Sequence, residues 1–131
     1  MVIVDTSVWI DYPGVLQIKH TSWLDRQLTR QRLGLRDLIF SEVLQGIRGN
    51  AAFTRVRRDL SSFRILTTGG KDLAVAAAQN YRSLRKSGHT VSKTIDCLIA
   101  TFCLEAGHLL LHRDQDFDPF EKLLALRVIH P

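Results

Sequence analysis

Cysteine is nearly absent: Cys97 and Cys103 are the only two in 131 residues. If they share a helix, their spacing spans ~9 Å of rise, beyond the ~7 Å between Cα atoms that a disulfide tolerates. Both therefore read as small buried apolar residues in a reducing compartment. No apolar run approaches the about 18 residues of a membrane span. The opening "MVIVDTSVWIDY" has no basic segment and its first apolar run stops at Asp5, which argues against a secretory signal and for the cytoplasm. His-x-x-His and Cys-x-x-Cys pairs are missing near the acids discussed below, so zinc is disfavoured. Repeats, low-complexity tracts and internal linkers are missing too. Acids are also scarce, 13 against 18 Lys and Arg, for a net charge of +5. That excess suits a polyanionic partner, nucleic acid or an acidic protein, without choosing between them. For the individual arginines, such as Arg55, Arg57, Arg58, Arg82 and Arg85, the plain reading is a solvated helical surface.

What is present is one domain's worth of chain, 1–131, long enough to bury a core without staples. Val2-Ile3-Val4 reads as a buried strand ending at an acid. Ser7 to Tyr12 starts a helix that Pro13-Gly14 ends. Further helices are expected over Thr21 to Arg32, Leu38 to Ile47, Ala51 to Leu60, Asp72 to Lys86, Ser92 to Ala106 and Pro119 to Leu124. Further strands are expected at Phe63–Thr67, Leu109–Leu111 and Leu126–Ile129. Helices separating short apolar strands imply an α/β domain, a parallel sheet with helices on both faces. Such sheets bind ligands beyond the carboxyl ends of their strands, which makes Asp5 and Asp114 neighbours in principle.

The acids divide by context. Asp5 follows the first strand directly and is either a helix cap or part of a site. Glu42, in "LIFSEVLQG", lies on a thin exposed stripe or faces a polar pocket. Asp96 shares a helical stripe with Ala100, Cys103 and Gly107, so it is expected to be buried, and a buried carboxylate must be paired, hydrogen-bonded or metal-bound. In "HRDQDFDP", Asp114 stands at the ligand edge and Asp116 points the same way if the chain stays extended. Asp118, before Pro119 and three residues ahead of Glu121, reads as an N-cap with a capping-box acid.

If Asp5, Glu42, Asp96 and Asp114 converge, two carboxylates 4 Å apart repel by ~4 kcal/mol at an effective dielectric of 20. Four cannot stay ionised together, so either a cation joins them or some protonate. An all-oxygen set suits Mg²⁺ or Mn²⁺, and in a basic protein it suits metal-assisted phosphodiester cleavage.

The ordered set "VIVDTSVWID", "FSEVLQG", "KTIDCLIATFC" and "LLLHRDQDF" closely resembles the PIN-domain nucleases and, among them, the VapC toxins of bacterial toxin–antitoxin pairs, essentially end to end. The resemblance implies a three-layer α/β/α PIN-like domain with a central, mostly parallel sheet, forming a homodimer. It implies a Mg²⁺-dependent endoribonuclease, with Mn²⁺ as a substitute, acting on tRNA or rRNA and neutralised by a VapB-like antitoxin. Carried over by motif, Asp5, Glu42, Asp96 and Asp114 form the acidic quartet that is both catalytic and metal-holding, and Asp116 is a further ligand or a support to one. Ser7, and less so Thr6, supplies the hydroxyl that the family places after the first acid. Arg113 and Lys93 are candidates for the RNA backbone or plain surface charges. Hydrolysis by a metal-activated water, attacking phosphorus in line, leaves 5′-phosphate and 3′-hydroxyl ends. The segment "DYPGVLQIKH" is where the family varies most.

Other functions fit less well. A receiver-like signalling domain wants paired acids after its first strand and a late lysine, whereas here the late strand delivers the acids. A metal-free ribonuclease wants paired histidines, and His20, His89, His108, His112 and His130 show no pairing; His112 reads as a strand or surface residue. A phosphate-binding loop fails at "TTGGKD" for want of an upstream glycine. A haloacid-dehalogenase phosphatase wants Asp-x-Asp where Asp5-Thr6-Ser7 stands. A catalytically inactive PIN-type RNA- or protein-binding module is the non-enzyme alternative, and the presence of all four acids counts against it.

Overall fold

The computed structural model describes residues 1–10, 19–27, 30, 32–67, 69–91 and 93–131. Four strands among them, β1 (Val2–Val4), β2 (Leu33–Arg36), β3 (Arg64–Leu66) and β4 (Leu109–Leu111), form a wholly parallel sheet in the order β3-β2-β1-β4. Helices α1 (Thr6–Trp9) and α2 (Lys19–Gln27) join β1 to β2. Helices α3 (Asp37–Gln45) and α4 (Asn50–Leu60) join β2 to β3, and α5 (Gly70–Lys86) and α6 (Thr94–Ala106) join β3 to β4. A 3₁₀ turn (Gln115–Phe117) runs directly into α7 (Asp118–Leu124). Parallel crossovers are right-handed, so the steps from β1 to β2 to β3 carry α1–α4 onto one face. The return to β4 carries α5 and α6 onto the other, giving the expected three layers.

Because the chain leaves β1 toward β2 yet ends on its other side at β4, the sheet reverses direction between β1 and β4. Ligand crevices open beyond the carboxyl ends of strands at such a reversal. The two strands are locked there: Val4 lies opposite Leu111, and the Asp5 amide donates to the Leu111 carbonyl at 2.9 Å. Val2, Ile3, Val4, Leu110 and Leu111 are all buried, as a central parallel sheet requires. The exit from α6 is set by Gly107 at φ +71, which lets the His108 amide reach the Cys103 carbonyl at 2.9 Å.

Several expectations need correction. Leu33–Arg36, where no element is expected, is a strand: "LGLR" has no β-branched residue, and its glycine is crowded by Met1 and by the backbone of β3. A Cβ on Gly34 would meet the Met1 sulfur at 2.8 Å and the Arg64 carbonyl oxygen at 3.2 Å. The last expected strand is reduced to a single bridge, Leu110 to Val128. Asp118 is no cap. It already has helical backbone, φ −57 and ψ −42, continuing the 3₁₀ turn, and α7 begins without a side-chain cap bond. Its carboxylate acts on the helix dipole and on the nearby His112 rather than as a cap, so Asp118→Ala is expected to cost about 0.3–1 kcal/mol in chemical denaturation. The expected helix stop at Pro13-Gly14 and the helix start at Ser92 lie outside the described residues.

Both cysteines are buried free thiols, as expected. Burial pushes the Cys103 thiol up to about 12 and raises Cys97 as well. The arginines of α4 and α5 named above are exposed, matching the plain reading.

Arg36 is the exception. It is 1% exposed, and neither terminal guanidinium nitrogen has a hydrogen-bond partner among the described residues. Its guanidinium carbon sits 3.4 Å from the centre of the Phe102 ring, a cation–π contact worth about 2 kcal/mol when desolvated. Two buried, unmatched donor groups cost about 1–3 kcal/mol each, so the cost outweighs the gain. Arg36→Met, apolar and of similar length, is therefore expected to leave the unfolding free energy measured in urea unchanged or raise it by up to about 2 kcal/mol. A loss of stability would show that the ring contact dominates.

Candidate metal centre

Each acid reaches the β1/β4 crevice by a separate local device. Asp5, 4% exposed, is the N-cap of α1. Its Oδ2 accepts the Ser7 amide at 3.0 Å and the Ser7 hydroxyl at 2.7 Å. The Ser7 hydroxyl oxygen also accepts the Arg113 amide at 2.9 Å. One serine thus ties the first acid to the chain leaving β4, and the cap reading of Asp5 holds. Thr6 turns the other way, its hydroxyl donating to Glu42 Oε1 at 2.9 Å and joining α1 to α3. Glu42 is therefore half-buried against a partner rather than on an exposed stripe.

Asp96 sits in the first turn of α6, 5% exposed, on the stripe it shares with buried Ala100 and Cys103. Its Oδ2 is buried without a hydrogen-bond partner among the described residues. Asp114 has extended backbone after β4, and its Oδ1 accepts the Asp116 amide at 2.9 Å, which starts the 3₁₀ turn. Lys93, placed among possible RNA contacts by sequence, instead approaches the acids: its Nζ lies 3.9 Å from Asp114 Oδ2. Arg113 is exposed and joins the site through its backbone amide.

Carboxylate oxygens of Asp96, Asp114 and Asp116 lie within 4.8 Å of one another. Asp5 and Glu42 stand outside that tight group, although their charges act on Asp96. Burial raises the Asp96 carboxyl to about 7, and Asp5, Asp114 and Glu42 add to the rise while Lys93 opposes it. Burial also raises Asp5, against the bonds from Ser7. Like charges gathered around an orphaned buried oxygen are costly unless a cation joins them. The all-oxygen donor set fits a hard divalent ion. The group can hold a metal, and the residues present fit one.

Sequence reasoning missed one residue here. His112 is 7% exposed, not a surface residue, and its Nδ1 accepts the Asp114 amide at 3.1 Å. Burial lowers its pKa. A histidine closing the β4 run, two residues before an acid, was the available signal.

Beside the acids, α1, α3 and α4 enclose a groove of about 460 Å³ lined by Trp9, Ile10, Val43, Ile47, Val56 and Phe63, with Glu42 in its wall. Ile10 is 61% exposed on its rim.

The profile of the PIN domain matches residues 2–123. VapC ribonuclease Mb1587 of Mycobacterium bovis is 30% identical over 129 residues, covering 97% of this chain and 96% of that protein. Ribonuclease VapC11 of Mycobacterium tuberculosis matches to the same extent. Among solved structures, FitAcB of Neisseria gonorrhoeae superposes with a TM-score of 0.77 at 20% identity, over 100% of this chain and 98% of that one. VapBC2 of Rickettsia felis, solved bound to a promoter DNA fragment, gives 0.79 at 13% identity, over 98% of each chain. The chain belongs to the PIN-domain family and, within it, to the VapC ribonucleases.

Proposed function

We propose that this chain is a single-domain toxin of a type II toxin–antitoxin pair, a metal-dependent endoribonuclease that hydrolyses RNA phosphodiester bonds and is held inactive by a VapB-like antitoxin. The observation that carries this reading is the Asp96, Asp114 and Asp116 group, with the buried orphaned oxygen of Asp96, at the β1/β4 crevice. Mg²⁺ is the expected ion and Mn²⁺ its substitute. When bound, such an ion supplies an activated water and neutralises charge on the phosphate.

The chain's own residues prepare that chemistry. Asp96, Asp114 and Asp116 hold the ion, and Asp5 adds negative charge from a position that Ser7 fixes. Glu42, held by Thr6, lies at the side where α1 and α3 meet. Lys93, beside Asp114 Oδ2, partly balances the acids and is close enough to meet an incoming phosphate. The net charge of +5 favours approach of RNA to a chain that places five of its 13 acids at or beside one crevice. Structured tRNA or rRNA is the substrate class expected of this family, and the toxin is expected to act as a homodimer in the cytoplasm. No helix among the described residues is long and apolar enough to cross a membrane.

The antitoxin is expected to lay an apolar segment in the groove between α1, α3 and α4, because Glu42 in its wall brings a docked peptide up to the acids. Ile10→Asp puts a charge on the rim and is expected to weaken capture of co-expressed antitoxin by about tenfold or more, while cleavage by the free toxin persists. Unchanged capture would place the antitoxin elsewhere.

The test of function is RNA cleavage by purified, antitoxin-free protein. Cleavage with Mg²⁺, none with EDTA, and 5′-phosphate with 3′-hydroxyl ends are expected. EDTA-resistant cleavage giving cyclic phosphate would contradict the proposal.

A further inference from the structure

His112 is buried behind the acids with its ring packed on Phe117, centroids 4.8 Å apart. Its Nδ1 accepts the Asp114 amide, so that nitrogen carries no proton and the neutral ring holds its hydrogen on Nε2. Nε2 is buried and has no hydrogen-bond partner among the described residues. A buried donor without an acceptor costs about 1–3 kcal/mol, and a leucine or phenylalanine would fill the same space without that penalty. Packing alone therefore does not account for a histidine here; the acceptor at Nδ1 does.

From that acceptor a directed path runs into the site. The ring fixes the Asp114 amide, which helps hold the residue extended at φ −140 and ψ 115. In that conformation Asp114 Oδ1 takes the Asp116 amide and sets the first residues of the 3₁₀ turn. Oδ2 is left on the side of Lys93. Two of the three clustered carboxylates thus take their directions from one ring nitrogen. We infer that His112 is a positioning residue for the metal centre, acting through the Asp114 backbone to aim the Asp114 and Asp116 carboxylates. This rests on the proposed reading of those acids as metal ligands.

The test is Mn²⁺ affinity, measured by calorimetric titration of the purified full chain. It compares wild type with His112→Asn, His112→Leu and Asp114→Asn, each melted in EDTA to report folding. Asparagine carries an acceptor oxygen on the atom where histidine carries Nδ1; leucine has the same size and no acceptor. Both lose the ring contact with Phe117, so packing loss is common to the pair. His112→Leu is expected to weaken Mn²⁺ binding about 10–100-fold, the usual cost of removing a group that orients a ligand, while His112→Asn stays within about threefold of wild type. Equal weakening in both, or no weakening in the leucine variant, would overturn the positioning role. If Asp114→Asn binds Mn²⁺ as wild type does, the metal-site reading itself fails and takes this inference with it. Should His112→Leu not fold, His112→Ala replaces it with the same comparison to asparagine.

Discussion

Asp96→Asn is expected to make the metal-free protein more stable at pH 8 and to abolish cleavage. Asparagine keeps the shape of the side chain and removes the charge. In the native protein that charge is buried, its Oδ2 lacks a hydrogen-bond partner among the described residues, and Asp5, Asp114 and Glu42 repel it. With the carboxyl raised to about 7, the ionised form costs roughly 2–4 kcal/mol at pH 8, most of which the variant recovers. The same substitution removes an anionic oxygen from the group that holds the ion, so Mg²⁺-dependent cleavage should fall by on the order of 10²-fold or more. Urea denaturation in EDTA and cleavage in Mg²⁺, on one preparation, check both halves. A variant that is inactive because it is less stable than wild type would mean that Asp96 is a structural residue.

The second large effect is a pH dependence that metal reverses. Asp96 titrates near 3.9 when unfolded and at about 7 when folded, so between those values the native state binds more protons than the unfolded one. Stability of the metal-free protein should therefore be greatest below about pH 4 as far as this group is concerned, and should decline as pH rises through 7, by roughly 2–4 kcal/mol in total. The raised Asp5 carboxyl acts in the same direction. An ion needs ionised ligands, so its stabilisation grows over the same range; at about a hundred times its dissociation constant it contributes about 2.7 kcal/mol. Melting curves with EDTA and with Mn²⁺ should nearly coincide near pH 5 and diverge above pH 7. Parallel curves would show that the acids bind no ion, or that their burial is without consequence.

Much of this site was legible in the sequence because its signals are local. Asp5 and Asp114 directly follow or nearly follow short apolar strands, and Asp96 repeats on a stripe of small residues, so placement followed from strand ends and helical spacing. The PIN-family resemblance supplied Glu42, whose contact with Thr6 depends on how α1 meets α3 and has no sequence signature. What stayed hidden were properties of packing. "LGLR" falls between two expected helices and carries no expected element, because a central strand built on glycine and a buried arginine breaks the usual β-branched pattern. Arg36 looked like one more solvated cation among many, and only the ring of Phe102 marks it as interior. Asp118 carries every residue-type mark of a cap, yet the preceding 3₁₀ turn gives it helical backbone before the helix begins. Three aspartates in "HRDQDFDP" therefore do different work: Asp114 and Asp116 face the centre and Asp118 biases a helix end.

The most direct test of the central claim is a crystal of the antitoxin-free protein soaked in Mn²⁺, with anomalous scattering recorded at the manganese edge. A peak is expected beyond the carboxyl ends of β1 and β4, in contact with an oxygen of each of Asp96, Asp114 and Asp116. Manganese bound elsewhere while that crevice stays empty would contradict it.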